Sequence, residues 1–449
     1  VIDPVRQELK RKLVHIGAGA FALLLRELSW PEAALMGAAA FAFNWQLLPR
    51  LGGRALWRAA DRRAGYPIGI LVYPLAVLGL VLWFRHDLSQ AAAVWGVLAV
   101  GDGTASLFGM LVGGPRLPWN ERKSWAGFLA FVAFGAVAAS FLMAWTLRLP
   151  LGAAFSPRIL ALTLPLAVVC ALVESLKTTL DDNLTVPLAG AIALPVFAQA
   201  RPELLLGDPA LAARLAQGAA VNAAVAVAAY LARAIDLAGA VSAVIIGTAI
   251  TAGAGLAGFA LMAAFFVIGS AATRLGYARK AARGIAQERG GARGWRNAWA
   301  NGGVPALLAL MAGLSAGAVR ELFVLAYAAS VATAAADTCS SEIGKAYGRR
   351  TFLITTLRPV PPGTEGAVSL EGTLAGLAGG ALVAVLGLAL GLYGPLPAAI
   401  VAGSGFLGSL AESVIGTEAE RRGWLDNDLL NALNTALGAG FACVLARWI

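Results

Sequence analysis

Charge is scarce in this chain. Of its 449 residues only 13% are Asp, Glu, Lys or Arg, roughly half the ~25% of a soluble domain. Histidine is scarcer still, with His15 and His86 alone, which argues against a zinc or haem site. The three cysteines, Cys170, Cys339 and Cys443, have no paired spacing. That excludes a disulfide framework and leaves them as small core residues. Apolar residues make up 59% of the chain, and mean hydropathy is +0.74. They fall in runs of roughly 16 to 23, long enough to cross a bilayer as helices. An ordinary cytosolic enzyme, a secreted scaffold and a disordered tail are all excluded.

The runs predict an all-α integral membrane protein with about fifteen transmembrane helices. They cover 13–29, 33–48, 68–84, 91–112, 126–147, 159–176, 184–199, 211–232, 237–253, 256–273, 303–318, 322–336, 371–393, 395–415 and 429–447. With a cytoplasmic N-terminus, 27 of the 35 Lys and Arg residues fall on the cytoplasmic side. This is the positive-inside asymmetry. The net charge of +10 therefore marks topology and anionic head groups; nucleic acid is not an expected partner. The basic stretches Arg50–Arg63 and Arg274–Arg296 read as cytoplasmic loops, with phosphate steering as their sharper role. The first apolar run lacks a small-residue cleavage site, so no cleavable signal peptide is expected. The expected location is the cell inner membrane, with active sites facing the cytoplasm.

Four elements recur in one order. Gly101-Asp102-Gly103-Thr104 is echoed by Ala336-Asp337-Thr338, and Ser124-x-x-Gly127 by Ser369-x-x-Gly372. Glu174-Ser175 is echoed by Glu412-Ser413, and Asp181-Asp182-Asn183 by Asp426-Asn427-Asp428. A seven-span unit ends on the side opposite its start, so a second unit in the same orientation needs one extra crossing. Span 211–232 supplies it, as an Ala-rich linker without chemistry. The predicted architecture is a parallel duplication, seven plus one plus seven: residues 1–200, a linker 201–235, and residues 236–449.

An acid inside a membrane helix costs about 2.5–3.5 kcal/mol on insertion scales, so such residues tend to be functional. Asp102, Glu174, Asp337 and Glu412 all sit on otherwise apolar spans. For one acid alone, snorkelling or helix capping is an equal explanation; two copies of the set favour chemistry. Hard carboxylate oxygens suit Mg²⁺, which takes one or two of them plus substrate phosphates. The metal candidates are Asp102, Glu174, Asp182, Asp337, Glu342, Glu412 and Asp426. Cations to offset transferring phosphoryl charge come from Arg116, Arg122 and Lys123 in the first unit, and from Lys345, Arg349, Arg350 and Arg358 in the second. A P-loop motif is absent.

The first unit resembles the phytol kinase and dolichol kinase family. The residues carrying this are Arg11-Lys12-Leu13-Val14-His15-Ile16, GDGTASLFG (101–109), Pro118-Trp119-Asn120-x-x-Lys123-Ser124-x-x-Gly127, and Glu174-Ser175 followed by DDNLTVPL (181–188). The second resembles the phytyl-phosphate kinase family through WRNAWANGGVPALLAL (295–310), ADTCSSEIG (336–344), 360–369 and WLDNDLLN (424–431). The resemblance implies a bifunctional kinase. An isoprenoid alcohol (phytol, geranylgeraniol, farnesol or a longer polyprenol) would become its monophosphate, then its diphosphate, with CTP as donor and Mg²⁺ as cofactor. It makes Asp102, His15, Lys123, Glu174, Asp337 and Glu412 the catalytic candidates. Arg11, Lys12, Arg116, Arg122, Ser124, Asn183, Arg349, Arg358, Ser369 and Asn427 become nucleotide- and phosphate-binding candidates. An alcohol nucleophile benefits from a base, a phosphate monoester does not, and the second unit has no histidine. His15 is thus a base or phosphate contact, or a polar helix-entry residue; Asp102 competes for the base role where it holds no metal, and His86 is inert. Where the first unit has Arg122 and Lys123 the second has Ala367 and Val368, so its phosphate contacts come from elsewhere.

Two other readings stay open: a CTP-using cytidylyltransferase making a CDP-lipid, and a repeat-built transporter. Acids at one face, not the midplane, favour surface chemistry over transport.

Overall fold

The computed structural model describes residues 4–51, 57, 61, 65–287, 292–419 and 421–448. Most of the basic stretch 50–63 lies outside these. The chain divides into two compact units, Val1–Ala198 and Gln199–Ile449. Helix dominates, and nine of the described helices are long and apolar enough to cross a membrane.

The first unit runs through helices Pro4–Ala18, Trp30–Ala42, Ile68–Trp83, Leu88–Leu111, Trp125–Thr146, Pro157–Ser175 and Asp182–Phe197. Their ends follow local chemistry. Ser29 and Glu32 form a capping box, while Asp87, Ser124 and Asp181 each accept a backbone N–H of the first turn, satisfying donors that a helix start leaves free. A two-stranded hairpin, Arg116–Leu117 with Asn120–Ser124, leads into Trp125–Thr146.

In the second unit the helices are Leu211–Leu231, Leu237–Arg274, Trp295–Gly313, Gly317–Tyr347, Leu370–Ala389, Pro395–Ala419 and Asn427–Leu445. Leu237–Arg274 has 38 residues and would be about 57 Å long if straight, nearly twice a ~30 Å hydrocarbon core. It is not straight. Gly255 sits at φ +71°, a conformation glycine adopts without strain, and the chain reverses there. Both ends lie together: Arg274 donates to the Ala232 carbonyl (3.2 Å), the Asp236 N–H donates to the Arg293 carbonyl, and a Cβ on Gly269 would meet the Arg293 guanidinium. The segment is a helical hairpin. A second β-hairpin, Thr351–Leu353 with Ala367–Ser369, leads into Leu370–Ala389. It holds the same place in the order of elements as the first hairpin.

Two helices are enclosed by the rest of their units. Over the most apolar 18-residue stretch of each helix, Leu88–Leu111 is 78% buried and Gly317–Tyr347 83%, against 17–50% for the other seven apolar spans among the described residues. The partly covered helices keep apolar faces for lipid; the enclosed pair carries Asp102 and Asp337. Close approach onto Gly317–Tyr347 requires small residues, as is usual between helices in membranes. A Cβ on Gly376 would lie 2.9 Å from the Ala336 carbonyl oxygen.

Candidate functional site

In the first unit a π-helical turn, Val97–Gly101, immediately precedes Asp102. Such bulges re-aim the side chains that follow them. Asp102 is buried, and both its oxygens accept from Lys12 Nζ, at 3.0 and 2.8 Å. His15 Nε2 lies 3.4 Å from Asp102 Oδ2 and 3.0 Å from the Leu98 carbonyl. A carbonyl only accepts, so Nε2 carries the hydrogen and Nδ1 presents the lone pair of the neutral ring. The ring edge packs on Tyr73, 4.7 Å between centroids.

The hairpin brings in the second cation. Trp119 Nε1 donates to Ser175 Oγ (2.9 Å) and Asn120 Nδ2 to the Ser175 carbonyl (3.0 Å), fastening the hairpin to the end of Pro157–Ser175. Lys123 then hydrogen-bonds Glu174 and stands 3.8 Å from Asp182. Burial disfavours the Lys123 charge, but Glu174 and Asp182 outweigh it and hold its pKa above the ordinary lysine range. Oxygens of Asp102, Glu174 and Asp182 all lie within 4.8 Å of one another. Two oxygens on one octahedral Mg²⁺ at about 2.0–2.1 Å are roughly 2.9–4.2 Å apart. The donor set therefore fits a hard divalent cation after small side-chain adjustment. Asn183 donates to the Gly69 carbonyl (3.2 Å), while its Oδ1 is buried without a partner.

Not every predicted contact gathers here. Lys12 is turned inward onto Asp102, so a direct phosphate contact by Lys12 would have to break that pair. Arg11 is engaged by Glu8 (3.1 and 2.5 Å). Arg116 and Arg122 are exposed. Ser124 caps Trp125–Thr146 through Gly127 N, as Ser369 caps Leu370–Ala389 through Gly372 N.

In the second unit the corresponding residues line a polar cavity of about 140 Å³. Asp337, Glu342, Glu412, Ser369 and Asn427 are on its wall, joined by Glu365, Lys345, Asn297 and Asn301. The hairpin approaches the end of Pro395–Ala419 here too, since a Cβ on Gly366 would lie 2.9 Å from the Ser413 carbonyl. Glu342 is taken by Lys280, fully buried, whose ammonium also donates to the Thr273 carbonyl (2.7 Å). Asp426 caps the final helix through Leu429 N and does not line the cavity. Arg349 and Arg358 are exposed; Arg349 reaches only Glu371, at 4.0 Å. Among the described residues, the cations on the cavity wall are Lys345 and Arg293.

Arg293 was not among the sequence candidates. Its guanidinium lies over Phe265 and Phe266, 5.3 and 5.7 Å from the ring centroids. Burial pulls its pKa down to about 10, which leaves it charged at neutral pH. The signal available in sequence was a single arginine beside WRNAWANGG in a stretch of topology-setting cations. Lys12 had a better one, because an aspartate on an apolar helix such as Asp102 tends to find a cation, and Lys12 stands at the mouth of the first span.

Residues 220–439 match the profile of the family described as integral membrane protein DUF92. The chain is similar to an uncharacterized membrane protein, sll0875, of Synechocystis sp., with 46% identity over 42% of this chain and 73% of that one. Protein VTE6 of Arabidopsis thaliana is 42% identical over 43% of this chain and 60% of its own length. Phytol kinase 1 of the same plant is 30% identical over 42% of this chain and 66% of its own. The match thus spans three fifths of the first of those plant proteins and just under two thirds of the second. No solved structure matches.

Proposed function

The chain belongs to the DUF92 family of integral membrane proteins, and from that membership we propose that it is a bifunctional membrane kinase acting on an isoprenoid alcohol. The first unit transfers a phosphoryl group from a nucleoside triphosphate, with CTP the expected donor, to the alcohol. The second transfers another to the resulting monophosphate. The observation carrying this reading is the cluster of buried Asp102 and Glu174 with half-buried Asp182, interleaved with Lys12, Lys123 and His15.

In the first step the alcohol oxygen forms a bond to the terminal phosphorus of the nucleotide, and the bond from that phosphorus to the bridging oxygen breaks. The hydroxyl proton goes to His15 Nδ1. Lys12 and the Leu98 carbonyl fix Asp102 and the imidazole in place, so the ring faces the acceptor in one tautomer. Asp102, Glu174 and Asp182 would hold Mg²⁺, which when bound offsets charge on the donor phosphates. Lys123, paired with Glu174 and one-third exposed, is the cation that would turn to the transferring group once the metal takes up the carboxylates. In the second unit Asp337 and Glu412 would hold the metal, since Glu342 is committed to Lys280. The monoester needs no base.

Fifteen crossings arranged seven, one and seven, with a cytoplasmic N-terminus, belong to the same proposal. Seven helices in the first unit, and eight in the second once the Leu237–Arg274 hairpin counts twice, support it. So does the placing of 27 of 35 cations on one side. Both sites then face the cytoplasm.

The test supplies purified protein with CTP, Mg²⁺ and a panel of prenyl alcohols, with ATP, GTP and UTP as alternative donors. The expected products are lipid mono- and diphosphates with CDP, lost on chelation and regained with Mg²⁺. A CDP-lipid with pyrophosphate would instead make the protein a cytidylyltransferase. No nucleotide turnover would favour transport.

A further inference from the structure

A second cavity in the Gln199–Ile449 unit is apolar. At about 110 Å³, it lies among Leu211–Leu231, the Leu237–Arg274 hairpin and Trp295–Gly313, with Val225, Ile246, Phe259, Met262 and Phe266 on its wall. It shares three residues with the polar cavity: Arg293, Asn297 and Asn301. Hydrocarbon packing and acid-lined polar space therefore meet at one arginine.

That arginine has no ion pair among the described residues. A half-buried guanidinium over two aromatic faces, acted on by the charge of Glu342, itself paired to Lys280, is partly compensated, and an anion would complete it. Arginine's planar fork matches the oxygens of a phosphate. An apolar wall on one side and a cation on the other together select an amphiphile with an anionic head. We propose that Arg293 binds the phosphate of the isoprenyl monophosphate, with the head-proximal part of the chain in the apolar cavity and the phosphate presented to the Asp337 cavity. This rests on the reading of the second unit as a monophosphate kinase. A volume of about 110 Å³ is below the few hundred Å³ of a pocket that encloses a whole ligand, so the rest of the chain runs out between helices into the bilayer. Leu211–Leu231, which reads in sequence as a linker without chemistry, is thereby a wall of the acceptor site. Asn222 on it is buried against the hairpin, donating to the Gly218 carbonyl and to Thr251.

The experiment measures equilibrium binding of labelled geranylgeranyl and geranyl monophosphates to the full chain in nanodiscs without nucleotide, with CTP binding measured in parallel. Arg293→Gln is expected to weaken monophosphate binding by about tenfold or more, the loss of a charge-assisted contact, and to leave CTP affinity within about twofold. Arg293→Lys retains part of the affinity. Ala243→Phe, which fills the apolar cavity, weakens geranylgeranyl more than geranyl monophosphate. Unchanged monophosphate binding in Arg293→Gln, an equal loss of CTP binding, or a wild type that binds no monophosphate overturns the inference. A wild type that binds the monophosphate through Arg293 yet never phosphorylates it upholds this site and overturns the kinase reading instead.

Discussion

The carboxylates of the first unit come already matched with cations, whereas those of the second surround an open cavity. Asp102 is held by Lys12, and Glu174 and Asp182 by Lys123, with His15 beside Asp102. In the second unit Lys280 pairs with Glu342, and the rest of the wall around Asp337 carries Glu365, Glu412 and many neutral polar groups, with Arg293 and Lys345 as its cations among the described residues. The two differ in the way their proposed acceptors differ. An alcohol head is neutral and must lose a proton, so a base belongs beside the acids. A phosphate head arrives charged and needs a cation, which on the proposed reading Arg293 would supply. On that reading, one order of helices and hairpins would serve two acceptors through a few side chains.

Breaking the buried pair of the second unit should have the largest effect. Lys280→Met leaves Glu342 buried and uncompensated, at an expected cost of about 3–5 kcal/mol. Disrupting the exposed Arg349–Glu371 pair should cost no more than about 1 kcal/mol. Thermal unfolding in detergent measures both, and Lys280→Met with Glu342→Gln should recover much of the loss. Next in size, Lys123→Met should lower alcohol phosphorylation by about 10²–10³-fold and leave monophosphate phosphorylation unchanged, since the second unit has Val368 there. His15→Asn should lower the alcohol step by about 10²-fold, again sparing the other; initial rates on each acceptor separate the steps. The smallest effect concerns packing. Gly376→Ala, whose Cβ would press on the Ala336 carbonyl, should cost about 1–2 kcal/mol, while Gly79→Ala, with nothing within 4 Å of its Cβ, should be neutral in the same unfolding assay.

Long apolar runs made the helices legible, because length and hydropathy speak for themselves in a bilayer solvent. The repeated acids were legible because charge is so rare in them. The two β-hairpins were not: residues 116–124 and 351–369 are short and polar, with no alternating pattern to announce strands. Their task, carrying Lys123 to Glu174 and Gly366 to the Ser413 carbonyl, depends on contacts between segments some fifty residues apart. In sequence Arg349 and Arg358 stood out as phosphate contacts, and Arg293 was one cation of the basic stretch Arg274–Arg296. The turn before Trp295–Gly313, set by backbone bonds from Arg293 N to the Ala234 carbonyl and from Asp236 N to the Arg293 carbonyl, puts Arg293 on the cavity wall.

Asp102→Asn and Asp337→Asn, each purified and supplied separately with a prenyl alcohol and with its monophosphate, test most directly whether there is one pocket for each step. Asp102→Asn should lose alcohol phosphorylation by about 10³-fold and still convert monophosphate to diphosphate, and Asp337→Asn should do the reverse. Loss of both conversions in either folded variant would contradict the division of labour between the two units.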